Sequence, residues 1–430
     1  MRVTDLIEDL QWRGLIAQST DLDALKSALE SGRLSLYCGF DPTAPSLHVG
    51  NLVPLLVLRR FQVAGHTPIG LVGGATGLIG DPSGRSEERV LNTDDVVADW
   101  VARVRVQVEK FIDLAPGTNQ GQLVSNLDWT KDLSAIEFLR DIGKHFSVNV
   151  MLSKDSVKSR LEDQGISYTE FSYMLLQAYD YLELYRRNDC RLQIGGSDQW
   201  GNITAGLDLI RRVEGSDAPD AHAMTVPLVV KADGTKFGKT ADGAIWLDPS
   251  MTSPYTFYQF WINTDDRDAT KFLRFFSLKS RAEIESVEAQ SAAEPAARHA
   301  QRALATELTE LVHGADSVLA AQAASAALFG RGEIADLDAS TLTAALTEAG
   351  VTSAGSDEVA IVDLAVQAGL VDSKGAARRL IKEGGLYLNN ERVTDEAAHA
   401  TASQRINGEW WVLRRGRKDF KGVTGPAGDK

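Results

Sequence analysis

An α/β body on a mostly parallel sheet, followed by a helical region and a small α+β unit, is the fold the sequence predicts. Three observations predict it. Up to about residue 230, short apolar β-prone runs ("LSLYCGF", "TPIGLVGG", "GQLVSNL", "CRLQIGG") alternate with longer helical patterns, the pattern of βαβ units. From 252 to about 329 helical spacing stands alone, ending in the alanine-rich "AEPAARHAQRALATELTELVHG". From 361, "IVDLAVQAGLVDSKGAARRLIKEGGLYLNNERVTD" reads as two short helices, a Gly-Gly break, a strand and an Asn-Asn turn suited to a hairpin.

In chain order, the first β-run ends at Phe40 and passes into a proline-flanked loop, "DPTAPSLHVGNL". Helical patterns follow at 96–114, at 134–145 and through "EFSYMLLQAYDYL". The expected boundaries are 1–230 for the sheet body, 231–250 for a mobile glycine- and lysine-rich loop region, and 251–330 for the helical domain. Residues 331–357, rich in Ala, Asp, Ser, Thr and Gly, read as a linker with one weak helix. The last unit spans 358–430. A chain of 430 residues exceeds what one core usually supports.

Composition narrows the class. Hydrophobic residues at 43% and charged residues at 24% are those of a globular protein, and no apolar run reaches a membrane span. The start, "MRVTDLIEDLQWRGL", mixes acids into its apolar residues, which suits neither a secretory signal nor a transit peptide, so a cytoplasmic protein is expected. Cys38 and Cys190 make no CxxC pair, so neither a disulfide framework nor a structural metal is expected. The net charge of −14 opposes nonspecific nucleic-acid binding over the whole surface. The last 70 residues nevertheless carry 12 Lys+Arg against 9 Asp+Glu, leaving the acidity on the first 360.

Chemistry concentrates in four stretches. In "LYCGFDPTAPSLHVGNL", Ser46 is placed to cap a helix whose first turn carries His48 and Asn51. Donors there suit an anionic phosphate, although a lone histidine can also simply satisfy a loop. The second stretch, "VVKADGTKFGKT", brings Lys236, Lys239 and Thr240 onto a glycine-rich loop that fits a polyphosphate or a solvated hairpin. It is no P-loop, because Asp233 stands where GxxxxGK[ST] needs glycine. In the third, Tyr173, Gln177 and Asp180 form one helical stripe in an apolar setting, to be partnered by a ligand or by neighbouring elements. The fourth places Lys374, Arg378, Arg379 and Lys382 on one helix side, a footprint for RNA phosphates or a solvated face.

"HVGN" at 48–51 and "KFGKT" at 236–240 resemble the two signatures of class I aminoacyl-tRNA synthetases, with Asn51 for the second histidine and Gly238 and Thr240 for two serines. Together with "YCGFDPT", "GDPSGR", the 173–180 stripe and "QIGGSDQWGN", the chain resembles the bacterial tyrosyl-tRNA synthetases through nearly its whole length. The resemblance implies a Rossmann-like catalytic domain, an α-helical anticodon-side domain and a small RNA-binding domain similar to one in a ribosomal small-subunit protein. It implies L-tyrosine, ATP with Mg2+, and a tyrosine-accepting tRNA as partners, and a homodimer.

Roles follow residue by residue from the same resemblance. Tyr37 and Asp180 match positions that meet the substrate phenol; Asp81, Tyr173 and Gln177 match those around its α-ammonium, and Gln193 belongs to the same pocket. Cys38, Gly39, Asp41, Gly50, Asn51, Gly195, Asp198 and Gln199, with His48 and Lys239, match the ATP and adenylate positions. Thr43, His48, Lys236, Lys239 and Thr240 match the group that steadies departing pyrophosphate, with Arg85 and Arg89 as weaker candidates. The implied reaction is tyrosine activation to tyrosyl-adenylate, then transfer to the tRNA 3′ end. A tryptophan-specific relative and a catalytically idle RNA-binding protein on the same scaffold are the competing readings.

Overall fold

The computed structural model describes residues 6–83, 92–154, 157–158, 161, 165–215, 220–235, 237–240, 243–329, 332–416 and 419–426. The chain divides into two compact units: Met1–Met251 with Thr264–Leu304, and Thr252–Asn263 with Ala305–Lys430. Among the described residues no helix is long and apolar enough to cross a membrane.

The first unit is built on six strands: β1 (Gln18–Ser19), β2 (Ser35–Phe40), β3 (Thr67–Val72), β4 (Gln122–Ser125), β5 (Cys190–Gly196) and β6 (His222–Val226). Their order is β1-β6-β5-β2-β3-β4, parallel except for the antiparallel edge strand β1. Strands covered on both faces need continuous apolar sequence, and every residue of β3 is buried. The chain runs outward from β2 through β3 to β4, then returns to place β5 on the other side of β2. A crevice opens where strand order reverses, at the carboxyl ends of β2 and β5.

The helix Tyr168–Asn188 lies against the helix Trp200–Glu214 and β5. Ser167 caps its start by accepting from the Glu170 N–H, and Asp189 ends it in the left-handed region at φ 50°. Ile69, Ala178, Tyr181, Leu182, Ile203 and Ala223 fill the core between these helices and the sheet.

A buried arginine ties this unit's first helix, Leu6–Arg13, to a distant helix end. Arg13 donates to the carbonyls of Arg274 (3.0 Å), Ser277 (2.9 Å) and Lys279 (2.7 Å), and its Nε to Asp9 at 2.7 Å. These are carbonyls at and just past the end of the helix Asp266–Phe276, which cannot bond within it. Arg13→Met is expected to lower local stability by about 3 kcal/mol, since it takes the donors from the part-buried Arg274 and Lys279 carbonyls and from the Asp9 carboxylate, while the Ser277 carbonyl keeps Arg60 Nη2. Amide exchange across residues 266–276 should then quicken by roughly 100-fold.

In the second unit five strands pair in the order β12-β11-β14-β15-β9. They are β9 (Val351–Ser353), β11 (Leu386–Leu388), β12 (Glu391–Arg392), β14 (Trp410–Arg415) and β15 (Asp419–Thr424), while β10 (Glu358–Ala360) pairs with β13 (His399–Thr401). Asn389 and Asn390, both at positive φ (50° and 67°), turn β11 into β12 as the sequence predicts. Within the stretch read as linker, the helix Ala339–Ala349 buries Leu342, Ala345 and Leu346, and β9 pairs parallel with β15. Three small-spaced apolar residues suffice to dock that helix, a signal diluted by its Ser, Thr and Ala neighbours.

Candidate active site

β2 delivers Tyr37 and Cys38 to the crevice and β5 delivers Gln193 and Gly195. Across it stands Asp180, 3% exposed on the helix Tyr168–Asn188. Its carboxylate accepts from Trp129 Nε1 (2.8 Å) and Asn126 Nδ2 (3.0 Å). Burial outweighs those two donors and pushes its pKa up to about 7. The Tyr37 hydroxyl, Gln177 Oε1 and Gln193 Oε1 are buried and have no hydrogen-bond partner among the described residues. Buried polar atoms ordinarily find partners; Tyr37 pairs with Gln193 across β2 and β5 and lies close enough to Asp180 to feel its charge.

The network continues away from Asp180. Asn126 Nδ2 also donates to Thr76 Oγ1 at 3.0 Å, Thr76 donates to Asp41 Oδ1 at 2.6 Å, and the Tyr173 hydroxyl donates to Asp41 Oδ2 at 2.7 Å. Asn126 Oδ1 accepts from the Ala75 N–H at 2.7 Å, so a flipped amide would set oxygen against the Asp180 carboxylate. Gly73 gives this network its room: a Cβ there would lie 2.0 Å from Asp41 Oδ1. Farther along, Asp81 accepts from Gln199 Nε2 (2.7 Å) and the Ser83 N–H (2.9 Å). Asp198, held above the usual carboxylate range by burial and then by Asp81, sits beside Gly196, where a Cβ would meet its Oδ1 at 2.5 Å. Cys38 is buried and its thiol is pushed up to about 12 by desolvation, so it is a neutral wall rather than a nucleophile.

At the mouth, the expected helix cap is corrected. His48 itself, not Ser46, caps the short turn Val49–Asn51: its Nδ1 accepts from the Gly50 N–H at 3.0 Å, while Asn51 Oδ1 accepts from the His48 N–H at 3.0 Å. Ser46 is buried and turned away, donating to the Leu47 carbonyl. With Nδ1 accepting, the neutral ring carries its proton on Nε2 and presents a donor there. Gly50 is required because a Cβ would lie 2.7 Å from the imidazole. Thr43 is exposed nearby in sequence, after Asp41.

The second signature is fastened to the first. Val49 N–H donates to the Ile245 carbonyl (2.9 Å), Leu247 N–H to the Leu47 carbonyl (2.8 Å), and Ile245 N–H to the Gly238 carbonyl (2.9 Å). Lys239–Thr240 forms β7, paired with β8 (Gly243–Ala244). Phe237 packs on Phe272 and Phe276, with ring centroids 5.0 and 5.3 Å away. Lys236, Arg85 and Arg89 lie outside the described residues, as do the side chains of Lys239 and Thr240.

Residues 29–330 match the family described as tRNA synthetases class I (W and Y), and 342–423 match the tyrosine--tRNA ligase SYY-like C-terminal domain. A tyrosine--tRNA ligase of Acidothermus cellulolyticus is 60% identical over 98% of this chain and 99% of its own length, and one of Streptomyces coelicolor is 59% identical over the same shares. The chain belongs to the tyrosine--tRNA ligase family of class I synthetases. A C-terminally truncated mitochondrial tyrosyl-tRNA synthetase of Aspergillus nidulans superposes with a TM-score of 0.66 at 33% identity, over 74% of this chain and 92% of that one. A tryptophanyl-tRNA synthetase of Encephalitozoon cuniculi, 15% identical at a TM-score of 0.53, shares the fold.

In this member of the tyrosine--tRNA ligase family, the structure adds residues that sequence reading missed. Thr76, Asn126 and Trp129 sit in "GGATGL" and "SNLDWT", polar positions just past the ends of β3 and β4. Their location at strand carboxyl ends was the available signal. In the C-terminal unit the four basic residues do share the helix Lys374–Lys382. Three are ion-paired: Lys374 with Asp363 (2.7 Å), and Arg378 and Lys382 with Glu396 (3.9 and 3.2 Å). Arg379 is exposed. Trp410 and Trp411, which open the basic stretch "WWVLRRGRKDF", are core residues of β14.

Proposed function

We propose that this tyrosine--tRNA ligase family member joins L-tyrosine to ATP and passes the tyrosyl group to the 3′ end of its cognate tRNA. The observation that carries the tyrosine assignment is a buried acceptor, Asp180, near the buried and unpartnered Tyr37 hydroxyl. A phenol can donate to the Asp180 carboxylate and accept from Tyr37. Phenylalanine would leave both groups unpaired, which a buried site penalises strongly.

In the first step a carboxylate oxygen of tyrosine bonds to the α-phosphorus of ATP as the bond from that phosphorus to the bridging oxygen breaks, releasing pyrophosphate. The attacking carboxylate is already ionised, so no protein base is needed. The protein positions the two substrates and stabilises charge moving onto pyrophosphate. His48 Nε2–H, Thr43 and the KFGKT donors Lys236, Lys239 and Thr240 serve that charge. Tyr173, Gln177 and Asp81 surround the α-ammonium, with Gln193 lining the same pocket. Cys38, Gly39, Asp41, Gly50, Asn51, Gly195, Asp198 and Gln199 line the adenylate. In the second step a terminal ribose hydroxyl of the tRNA attacks the tyrosyl carbonyl and AMP leaves.

Magnesium belongs to the ATP phosphates in this reading, where it neutralises charge; the described residues contain no group of three His, Cys, Asp or Glu that would cage it. The C-terminal helix with Arg379 contacts tRNA phosphates, and the enzyme works as a cytoplasmic homodimer. Tyrosine-dependent exchange of labelled pyrophosphate into ATP tests the reading. Exchange driven by tryptophan instead would change the identity, and none with folded protein would overturn the activity.

Gly238 supplies a further check. It sits at φ 76°, and a Cβ there would lie 2.7 Å from Val49 Cγ2. Gly238→Ala is expected to slow exchange by about tenfold through backbone strain of ~1–2 kcal/mol. Tyrosine affinity, measured by calorimetry, should stay within about twofold, because the strain lies away from the phenol pocket.

A further inference from the structure

Trp246 lies six residues beyond the lysine signature and belongs to neither signature motif. It nonetheless faces His48 in an antiparallel backbone bridge, the centre of a short ladder whose flanking bonds are Val49 N–H to Ile245 and Leu247 N–H to Leu47. The indole stands edge-on to the imidazole, with ring centroids 6.2 Å apart and planes at 62°. The same segment receives the lysine loop through Ile245 N–H to the Gly238 carbonyl. Asp248 N–H donates to the buried Ser46 hydroxyl at 3.1 Å, which anchors the far end.

An imidazole has two rotatable bonds. At His48 Nδ1 accepts from the Gly50 amide, and the Trp246 indole packs edge-on against the same ring. A packing contact added to a hydrogen bond narrows the orientations the ring can take. We propose that Trp246 is a positioning residue for the first chemical step, holding the His48 ring so that its Nε2–H meets the departing pyrophosphate. The same ladder makes one rigid piece of the histidine turn and the base of the lysine hairpin, so the two sets of donors keep a common spacing. The proposal rests on the functional reading above and adds a residue to it.

The test is a double-mutant cycle on pre-steady-state adenylate formation at saturating tyrosine and ATP. Trp246→Leu should slow the step roughly three- to tenfold, the range of one lost ring contact. Trp246→Phe, which keeps an aromatic edge, should recover most of the rate. In a His48→Ala background, Trp246→Leu should have no further effect, because the ring it holds is gone. Tyrosine affinity by calorimetry should be the same in all four proteins, which sets aside general unfolding. Equal rate losses with and without His48, or a loss confined to the KM for tyrosine, would overturn the proposal while leaving the functional reading intact. An unaltered chain that forms no adenylate from tyrosine would overturn both.

Discussion

Asp180→Asn is expected to lower kcat/KM for tyrosine by about 10²–10³ and to shrink the preference for tyrosine over phenylalanine by a similar factor. The substitution removes a charged acceptor from the phenol, a bond of about 1.5–3 kcal/mol. It also turns an amide N–H toward one of two existing donors, Asn126 Nδ2 and Trp129 Nε1, so one buried donor loses its partner. Steady-state kinetics with the two amino acids measure both effects. Unchanged discrimination in a folded Asp180→Asn protein would remove Asp180 from the phenol site.

The same carboxyl predicts a pH dependence in the free enzyme. Its pKa is raised from 3.8 to about 7, chiefly by burial. For folding, a raised pKa means that the group's stabilising contribution is complete below about pH 3.8 and is lost as pH rises through 7. In the proposed site tyrosine binding has the opposite sign, because the phenol would donate to the ionised form. Affinity should therefore fall nearly tenfold for each pH unit below 7 and level off above it. Calorimetric titrations from pH 5.5 to 8.5 should show this slope, and Asp180→Asn should flatten it. A parent enzyme whose affinity does not change across that range would contradict the assignment of an ionised acceptor.

Much of this site was legible because its chemistry is local in sequence. Tyr37 lies in a β-run, Asp180 falls on the stripe set by Tyr173, and the parallel sheet follows from apolar runs broken by helical spacing. What the sequence hides is long-range. Asn126 bonds to Thr76 and Asp180, 50 and 54 residues away, and nothing in "SNLDWT" marks it apart from a turn. The His48 cap was misassigned for a local reason: serine is the stronger N-cap in general. Here Ser46 is buried, its hydroxyl donating to the adjoining Leu47 carbonyl, while Gly50 leaves space for the imidazole over its own amide. Trp246 gives no signal in one dimension, because its partner lies nearly 200 residues earlier.

His48→Ala should slow adenylate formation by about 10²–10³, the usual loss when one donor to developing negative charge is removed, with tyrosine affinity changed less than about threefold. The geometry separates this from a structural effect. His48 caps the turn through Nδ1, and in the proposed reaction it also offers Nε2–H to the leaving group; alanine removes both. His48→Asn keeps a good cap, since a short amide oxygen can accept from Gly50 N–H, and restores about 1 kcal/mol of turn stability over alanine. It cannot reach as far as Nε2, so its rate should recover only in part. Rapid-quench measurement of adenylate formation at saturating substrates, alongside thermal melts of the three proteins, distinguishes the roles. If His48→Asn restores the rate in full together with stability, the imidazole is a cap alone, and the charge on pyrophosphate must be met by Thr43 and the KFGKT lysines.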